Sequence, residues 1–476
     1  MSKPFTDNDL RHIFKPLHER LSRKYTRHKT YLGEFAVVVS LFYMNVMGKK
    51  GYANVLKGMA ADLHEALEWE SYVPSPAALS QARRKVPDTR LRALLHELYD
   101  HSHYAKKHPN ITFQHHRLVA VDGTDIELPS DDRLRKHFSV HNNGHAPADG
   151  KAPPHAGMVV LQDISHDLPI DFCITKSVPN ERDCLLRMLD RLRPGDVVIA
   201  DRGFPSKEVF HSLADMGVDC IMRIPKNTLK SVDAFRQSGD AHAIIEIDTT
   251  DSKGRKNVRS KPLKMRLVRD ESPSAHGEPR IFATTLLDTQ RYRAEDICFC
   301  YNRRWRIETA YKEMKIYDGL ERIQARTPEG VLQEISAVVI FQILLSELAG
   351  LVRHHHPEAT RPVKVACHKP DPSRMSARTP DRAPDYWTVT AWECPYNFNR
   401  QLMRTCMQGL MKFALAEEYD KAAESLESSV VYLWRLKQKR REGRSASRRP
   451  KSANAKNRTQ RRSADNKRLR KGTENA

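Results

Sequence analysis

Long apolar stretches are missing from this chain of 476 residues. No run of about 18 consecutive apolar residues occurs, so no membrane-spanning helix is expected. The first residues, Met1-Ser-Lys-Pro-Phe-Thr-Asp, carry no apolar h-region, and no secretory leader is expected. The eight cysteines are scattered, and Cys298 and Cys300 form the only close pair. That spacing makes neither a zinc knuckle nor a disulfide framework, which points to reduced thiols in a cytosolic protein. His137, His141, His145 and His155 fit no zinc template, so residues 141–155 read as a polar loop. Membrane, disulfide-stapled and zinc-ribbon classes are therefore disfavoured.

Acidic residues are in deficit. The chain has 80 Lys and Arg against 59 Asp and Glu, a net charge of +21. Residues 435–476 hold 17 Lys and Arg against 3 Asp and Glu, which is +14 of the total and leaves +7 for the body. This tail is rich in Arg, Lys, Ser and Asn and has too few apolar residues to fold alone. It reads either as a solubilising extension or as a non-specific hold on DNA. The length allows two or three domains around a large core.

Gly and Pro are absent from residues 301–315, Tyr-Asn-Arg-Arg-Trp-Arg-Ile-Glu-Thr-Ala-Tyr-Lys-Glu-Met-Lys, and strong helix formers fill them. On one continuous helix of about 100° per residue, Tyr301, Arg304 and Lys315 fall within about 40° of Glu308. A phenol, a guanidinium, a carboxylate and an ammonium then share one stripe, while Ile307, Tyr311 and Met314 turn inward. The plainer reading is a solvated face on which Glu308 pairs with Arg304 or Lys312. Two earlier stretches bear on the choice. Residues 118–121 form a short apolar strand that delivers Asp122, followed by Gly-Thr. Residues 197–200 form a second one that delivers Asp201, followed by Arg-Gly. Each aspartate singly reads as a turn or a helix cap as readily as a ligand. An ionised carboxylate at the end of a buried strand is costly unless a cation meets it. Two of them with Glu308 make a hard, oxygen-only donor set suited to Mg²⁺ or Mn²⁺.

Asp122-Gly-Thr, Asp201-Arg-Gly and the spacing Tyr301-x2-Arg304-x3-Glu308-x6-Lys315 resemble the DDE transposases of bacterial insertion sequences. Within them the pattern resembles the insertion-element-four family, which carries that Tyr-Arg-Glu-Lys (YREK) signature. The resemblance covers residues 122–351 in detail and the N-terminal helices loosely.

The order of elements agrees with an α/β chain. Residues 10–21, 31–47 and 91–103 show helical spacing. Residues 75–85 read as a Pro-started helix whose Gln81, Arg83, Arg84 and Lys85 either dock in a DNA groove or compensate the helix dipole. Strands at 118–121, 157–162 and 170–175 precede a helix at 181–192. A strand at 197–200, a helix at 206–216 and a strand at 219–224 follow. Strands at 243–248, 263–268 and 280–285 come next, then helices at 328–352, 402–415 and 422–434. His354, His355 and His356 read as a helix end. By resemblance this is a ribonuclease-H-like catalytic core with a β-rich insertion, flanked by helical N- and C-terminal units. The divisions are 1–110, a helical DNA-binding unit; 111–352, the catalytic domain with its insertion at about 225–300; 353–434, a C-terminal helical unit; and 435–476, a basic disordered tail.

The resemblance implies a transposase that cleaves at the ends of an insertion sequence and transfers the 3′-hydroxyl ends into target DNA. Asp122, Asp201 and Glu308 would hold two Mg²⁺ (or Mn²⁺) ions. Tyr301, Arg304, Lys315 and Arg202 would contact DNA phosphates, and the Thr124 hydroxyl would lie nearby. The partners implied are double-stranded DNA, both terminal inverted repeats and target, and a second copy in a homodimeric synaptic complex. A bacterial, nucleoid-associated, cytoplasmic setting is implied, with no membrane. Some members excise through a hairpin, using a Trp in the last inserted strand to hold a flipped base. Here that strand has no Trp, and Phe282 is the candidate substitute. A Mg²⁺-dependent nuclease without strand transfer and an inert DNA-binding relic remain the alternatives.

Overall fold

The computed structural model describes residues 7–21, 32–48, 51–67, 69, 73–102, 105–106, 113, 115–140, 152–176, 180–226, 230–248, 262–270, 279–356, 361–363, 391–393 and 396–439. His141, His145, residues 364–382 and the part of the basic tail beyond residue 439 lie outside the described residues.

Among the described residues, five helices open the chain: α1 (Asp7–Arg20), α2 (Glu34–Val46), α3 (Tyr52–Leu63), α4 (Pro76–Arg83) and α5 (Asp88–Asp100). The α2 helix is apolar all round, and every residue from Phe35 to Val46 is buried. A helix without a polar face has to sit inside the core. The α4 helix starts with the Ser75 hydroxyl accepting from Ala78 N and with Pro76 in its first turn. Its Arg83 points inward and meets Glu334 at 3.2 Å and Gln333 at 3.0 Å. Of its basic end, only Arg84 and Lys85 face solvent.

Next come β1 (Leu118–Glu127), α6 (Asp132–His137), β2 (Ser139–Val140), β3 (Pro154–Asp163) and β4 (Leu168–Thr175). They are followed by α7 (Glu181–Arg187), β5 (Val197–Ala200), α8 (Lys207–Asp215) and β6 (Asp219–Arg223). Then α9 (Lys230–Ser238) leads to β7 (His242–Ile247), β8 (Leu263–Asp270) and β9 (Arg280–Thr284). These nine strands form one sheet in the order β2-β3-β1-β5-β6-β9-β8-β7, with β4 also pairing β3. β1, β5 and β6 run parallel, and β3 and β4 run antiparallel. Every residue of β3 is buried, as expected of a strand covered on both faces.

The inserted strands join the main sheet. β9 pairs antiparallel with β6 (Met222↔Ala283), so the insertion continues the sheet. This removes the exposed edge that β6 would otherwise present.

The remaining elements are α10 (Ala294–Asn302), α11 (Trp305–Ile316), α12 (Pro328–His355), β10 (Arg361–Val363), β11 (Ala391–Glu393), β12 (Tyr396–Asn397), α13 (Arg400–Ala414), α14 (Tyr419–Arg435) and β13 (Gln438–Lys439). The 28-residue α12 packs against α2, α5 and β4, and so joins the N-terminal helices to the sheet. By length and composition α12 could cross a membrane, contrary to the reading of apolar runs, but its most apolar window is wholly buried in the protein. Glu334 and Glu347 interrupt the run of apolar residues without lowering the mean enough to exclude it.

The 301–315 stretch is not one helix. Turn residues Arg303 and Arg304 separate α10 from α11. There the backbone tightens to i→i−3 bonds, Arg304 N to Tyr301 O and Ile307 N to Arg304 O, each 3.0 Å. Both turn residues keep right-handed helical dihedrals, and Arg304 pairs with Glu308 four residues on as expected, but its other arm meets Asp122 rather than solvent.

Candidate active site

The parallel register decides where the two aspartates lie. Val121 on β1 faces Ala200 on β5, the last paired position between them. Asp122 and Asp201 are the next residue on each strand. Neighbouring strands lie about 4.8 Å apart, so the two carboxylates leave the sheet side by side. β1 itself continues past Asp122 to Glu127, paired with β3 (Asp122↔Val160), rather than ending at Val121. Thr124, two residues on, shares the Asp122 face of the strand.

α11 brings the third carboxylate. Tyr311 on its buried side donates to Asp122 O at 2.6 Å and accepts from Val160 N at 3.0 Å. This hydroxyl pins the helix across β1 and β3 at the level of Asp122. Arg306 secures the near end through Ile164 O. The far end is held from the C-terminal helices, where Arg400 meets Asp318 at 2.6 Å and Arg404 meets Tyr317 O at 2.6 Å.

Arg304 occupies the centre. Its Nη1 lies 2.8 Å from Asp122 Oδ2 and its Nη2 lies 2.7 Å from Glu308 Oε1. Burial works against its charge, but Tyr301, Asp122, Asp201 and Glu308 outweigh it and hold the guanidinium more firmly protonated than usual. Tyr301 donates to Asp201 Oδ1 at 3.2 Å. Burial and the Asp201 charge push its phenol up to about 12. Burial also raises the Asp122 carboxyl above its ordinary range, against the opposing pull of Arg304 and of the Gly123 N–H.

Tyr301 and Arg304 are thus buried with their polar groups turned onto carboxylates. Lys315 is half-buried and donates to Asp125 O at 2.8 Å. The Arg202 side chain is exposed, while its N–H donates to Asp201 Oδ1 at 2.6 Å. Phe282 is fully buried, its ring 4.3 Å from that of Tyr301. It is not available to stack on a base, which overturns its expected role. His155 belongs to β3 rather than to a loop and is buried 2.6 Å from Asp125 Oδ2.

One residue of the site was missed. Glu181, the first residue of α7, reaches the same space. Burial raises its carboxyl pKa, and the charges of Asp122 and Asp201 raise it further. Only its place at the start of a helix was legible, and that position is common for a glutamate.

The donor set is anionic and oxygen-only, the chemistry of Mg²⁺ or Mn²⁺ sites. Among the described residues, no three His, Cys, Asp or Glu side chains are gathered tightly enough to grip an ion. A cation nevertheless already bridges two of the carboxylates, the Arg304 guanidinium. The residues therefore fit a divalent ion in kind, with Arg304 standing in for its charge.

Residues 113–344 match the transposase DDE domain family, and this segment contains all three carboxylates and Arg304. The chain is also similar to the transposase InsG for insertion sequence element IS4 from Escherichia coli (strain K12). The two are 20% identical over 287 residues, 59% of this chain and 62% of that protein. The match therefore spans less than two thirds of that relative. The cryo-EM structure of a piggyBac transposase synaptic complex with hairpin DNA aligns with 90% of this chain and 83% of its own, at 11% identity and a TM-score of 0.38.

Proposed function

We propose that the chain is a DDE transposase with a ribonuclease-H-like core, acting on the ends of a bacterial insertion sequence. The observation that carries this is the register of β1 and β5, which sets Asp122 beside Asp201, with Glu308 joined to Asp122 through Arg304. The family match over residues 113–344 supports it. The proposed division is a helical N-terminal unit (1–110), a catalytic domain (111–352), a C-terminal helical unit (353–434) and a basic tail (435–476).

Asp122, Asp201 and Glu308 would hold two Mg²⁺ or Mn²⁺ ions. When bound, such ions make water or a 3′-hydroxyl a stronger nucleophile and stabilise the oxygen that leaves. The chain's own residues do the rest. Tyr311 fixes the Asp122 backbone, Tyr301 orients Asp201, and Arg304 keeps Asp122 and Glu308 within reach of each other. Arg202 and Lys315, at the accessible rim, meet phosphates of the bound strand. Water first attacks a phosphodiester at the element end, and the bond to the 3′-oxygen breaks to leave a 3′-hydroxyl. That hydroxyl then attacks a target phosphodiester and displaces its 3′-oxygen. One bond forms and one breaks in each step, with no covalent link to the protein. Both element ends are held by a homodimer.

The test is cleavage of a supercoiled plasmid carrying the element ends in Mg²⁺, comparing wild type with Asp201→Asn and Glu308→Gln. Nicking at the ends that disappears in both variants supports the three-carboxylate site. Joining of a labelled element end to a second plasmid separates a transposase from a plain nuclease. Nicking that survives Glu308→Gln rules out the assignment.

A further inference from the structure

We infer that Glu181 is a fourth carboxylate of the divalent-cation centre, seated there by two glycines, Gly123 and Gly203. This rests on the reading of Asp122, Asp201 and Glu308 as ion ligands. A Cβ built on Gly123 would lie 2.4 Å from Glu181 Oε1, and one on Gly203 would lie 2.4 Å from Glu181 Oε2. Neither glycine has a positive φ, so backbone conformation does not explain them. What they provide is room for this carboxylate. Gly123 follows Asp122 directly, and Gly203 stands two residues after Asp201, so the glutamate fills the space beside both aspartates.

α7 is placed to make this reach. It packs against β1, β3 and α8, and Glu181 is its first residue. The neighbouring Arg182 donates to Gly203 O at 2.9 Å, which fixes the helix start against the Asp201 loop. The Gly123 N–H donates to Asp122 Oδ1 at 3.0 Å.

Charge then argues for an ion. Glu181 lies near enough to Asp122, Asp201 and Arg304 to feel their charges, while Arg304 pairs with Asp122 and Glu308. Half-buried anions without a counter-charge are costly. Two divalent ions carry the charge that Arg304 leaves unbalanced. If Glu181 were only a wedge between the glycines, a glutamine of the same shape would serve equally well.

The experiment titrates Mn²⁺ into the full chain, reading free ion by electron paramagnetic resonance, with and without a short duplex DNA. Wild type, Glu181→Gln, Glu181→Asp and Gly203→Ala are compared, with the urea midpoint of each as a check on folding. Glu181→Gln is expected to weaken Mn²⁺ binding at least about tenfold, and Glu181→Asp to recover part of it. The methyl of Gly203→Ala meets only the far end of a flexible side chain, so it should displace the carboxylate and weaken binding similarly. Added to Glu181→Gln, it should change nothing further. Mn²⁺ binding by Glu181→Gln within twofold of wild type, at an unchanged urea midpoint, overturns the inference and leaves a wedge. If Glu181→Gln does not fold, Gly203→Ala decides on the same criterion. Wild type that binds no Mn²⁺ in either condition overturns the metal centre itself, and Glu181's place with it.

Discussion

Replacing Arg304 by Met should make the stability of this protein depend on a divalent ion. The Arg304 side chain is 7% exposed, and its partners Asp122 and Glu308 are 18% and 20% exposed. Removing one member of a buried pair costs about 3–5 kcal/mol, because the partner charge is left uncompensated. Here the carboxylates keep some contact with water, so about 2–3 kcal/mol is the better expectation. A divalent ion at about 100 times its dissociation constant returns about 2.7 kcal/mol by mass action. The two magnitudes nearly cancel. Urea unfolding followed by Trp fluorescence should show Arg304→Met destabilised in EDTA and close to wild type in Mn²⁺. Wild type should respond less, because its guanidinium competes with the ion. A deficit of the same size in EDTA and in Mn²⁺ would refute the idea that Arg304 stands in for a metal.

Three further outcomes follow from the same geometry. Tyr311→Phe removes the hydroxyl shared by Val160 N and Asp122 O. It should cost about 1–3 kcal/mol in urea unfolding and slow plasmid nicking while leaving the affinity for DNA unchanged. Glu334→Gln strands Arg83 inside the interface of α4 with α12, where the two side chains are 0% and 5% exposed. A loss of about 3 kcal/mol is expected in the same assay. Asp171 sets the acid limit. Burial opposes its ionisation, but hydrogen bonds from His96 and Arg92 prevail and hold its pKa below the usual carboxylate range. A depressed native pKa stabilises the fold above the unfolded value of about 3.9, and that contribution is lost as pH falls through the native value. The urea midpoint should therefore fall below about pH 4, and less steeply in Asp171→Asn.

The elements that periodicity marks were largely legible. The helix beginning at Pro328, the strand before Asp201 and the pair of C-terminal helices lie within a few residues of their expected bounds. Their signals are local: an apolar repeat, a Pro at the first turn, a charge ending an apolar run. The 301–315 stretch shows where such signals stop. No Gly or Pro marks the turn at Arg303–Arg304, because good helix formers tolerate it. There the Arg304 guanidinium meets Asp122 on another element and Glu308 four residues on. Phe282 is the same lesson in reverse. Its residue type suited base stacking, but the Tyr301 ring covers it.

By itself, the sequence determined the residue types of the candidate site and their order along the chain: an aspartate after each of two apolar runs, a glutamate on a helix, and basic residues around them. Those follow from backbone patterns a few residues long. Only the tertiary structure decided which groups meet. The β1–β5 register set Asp122 beside Asp201, and α11 laid across β1 turned Arg304 inward. The start of α7 brought Glu181 between two glycines that lie 80 residues apart in the chain. Charges and close packing act through space, and the contacts that build this site join residues on separate elements.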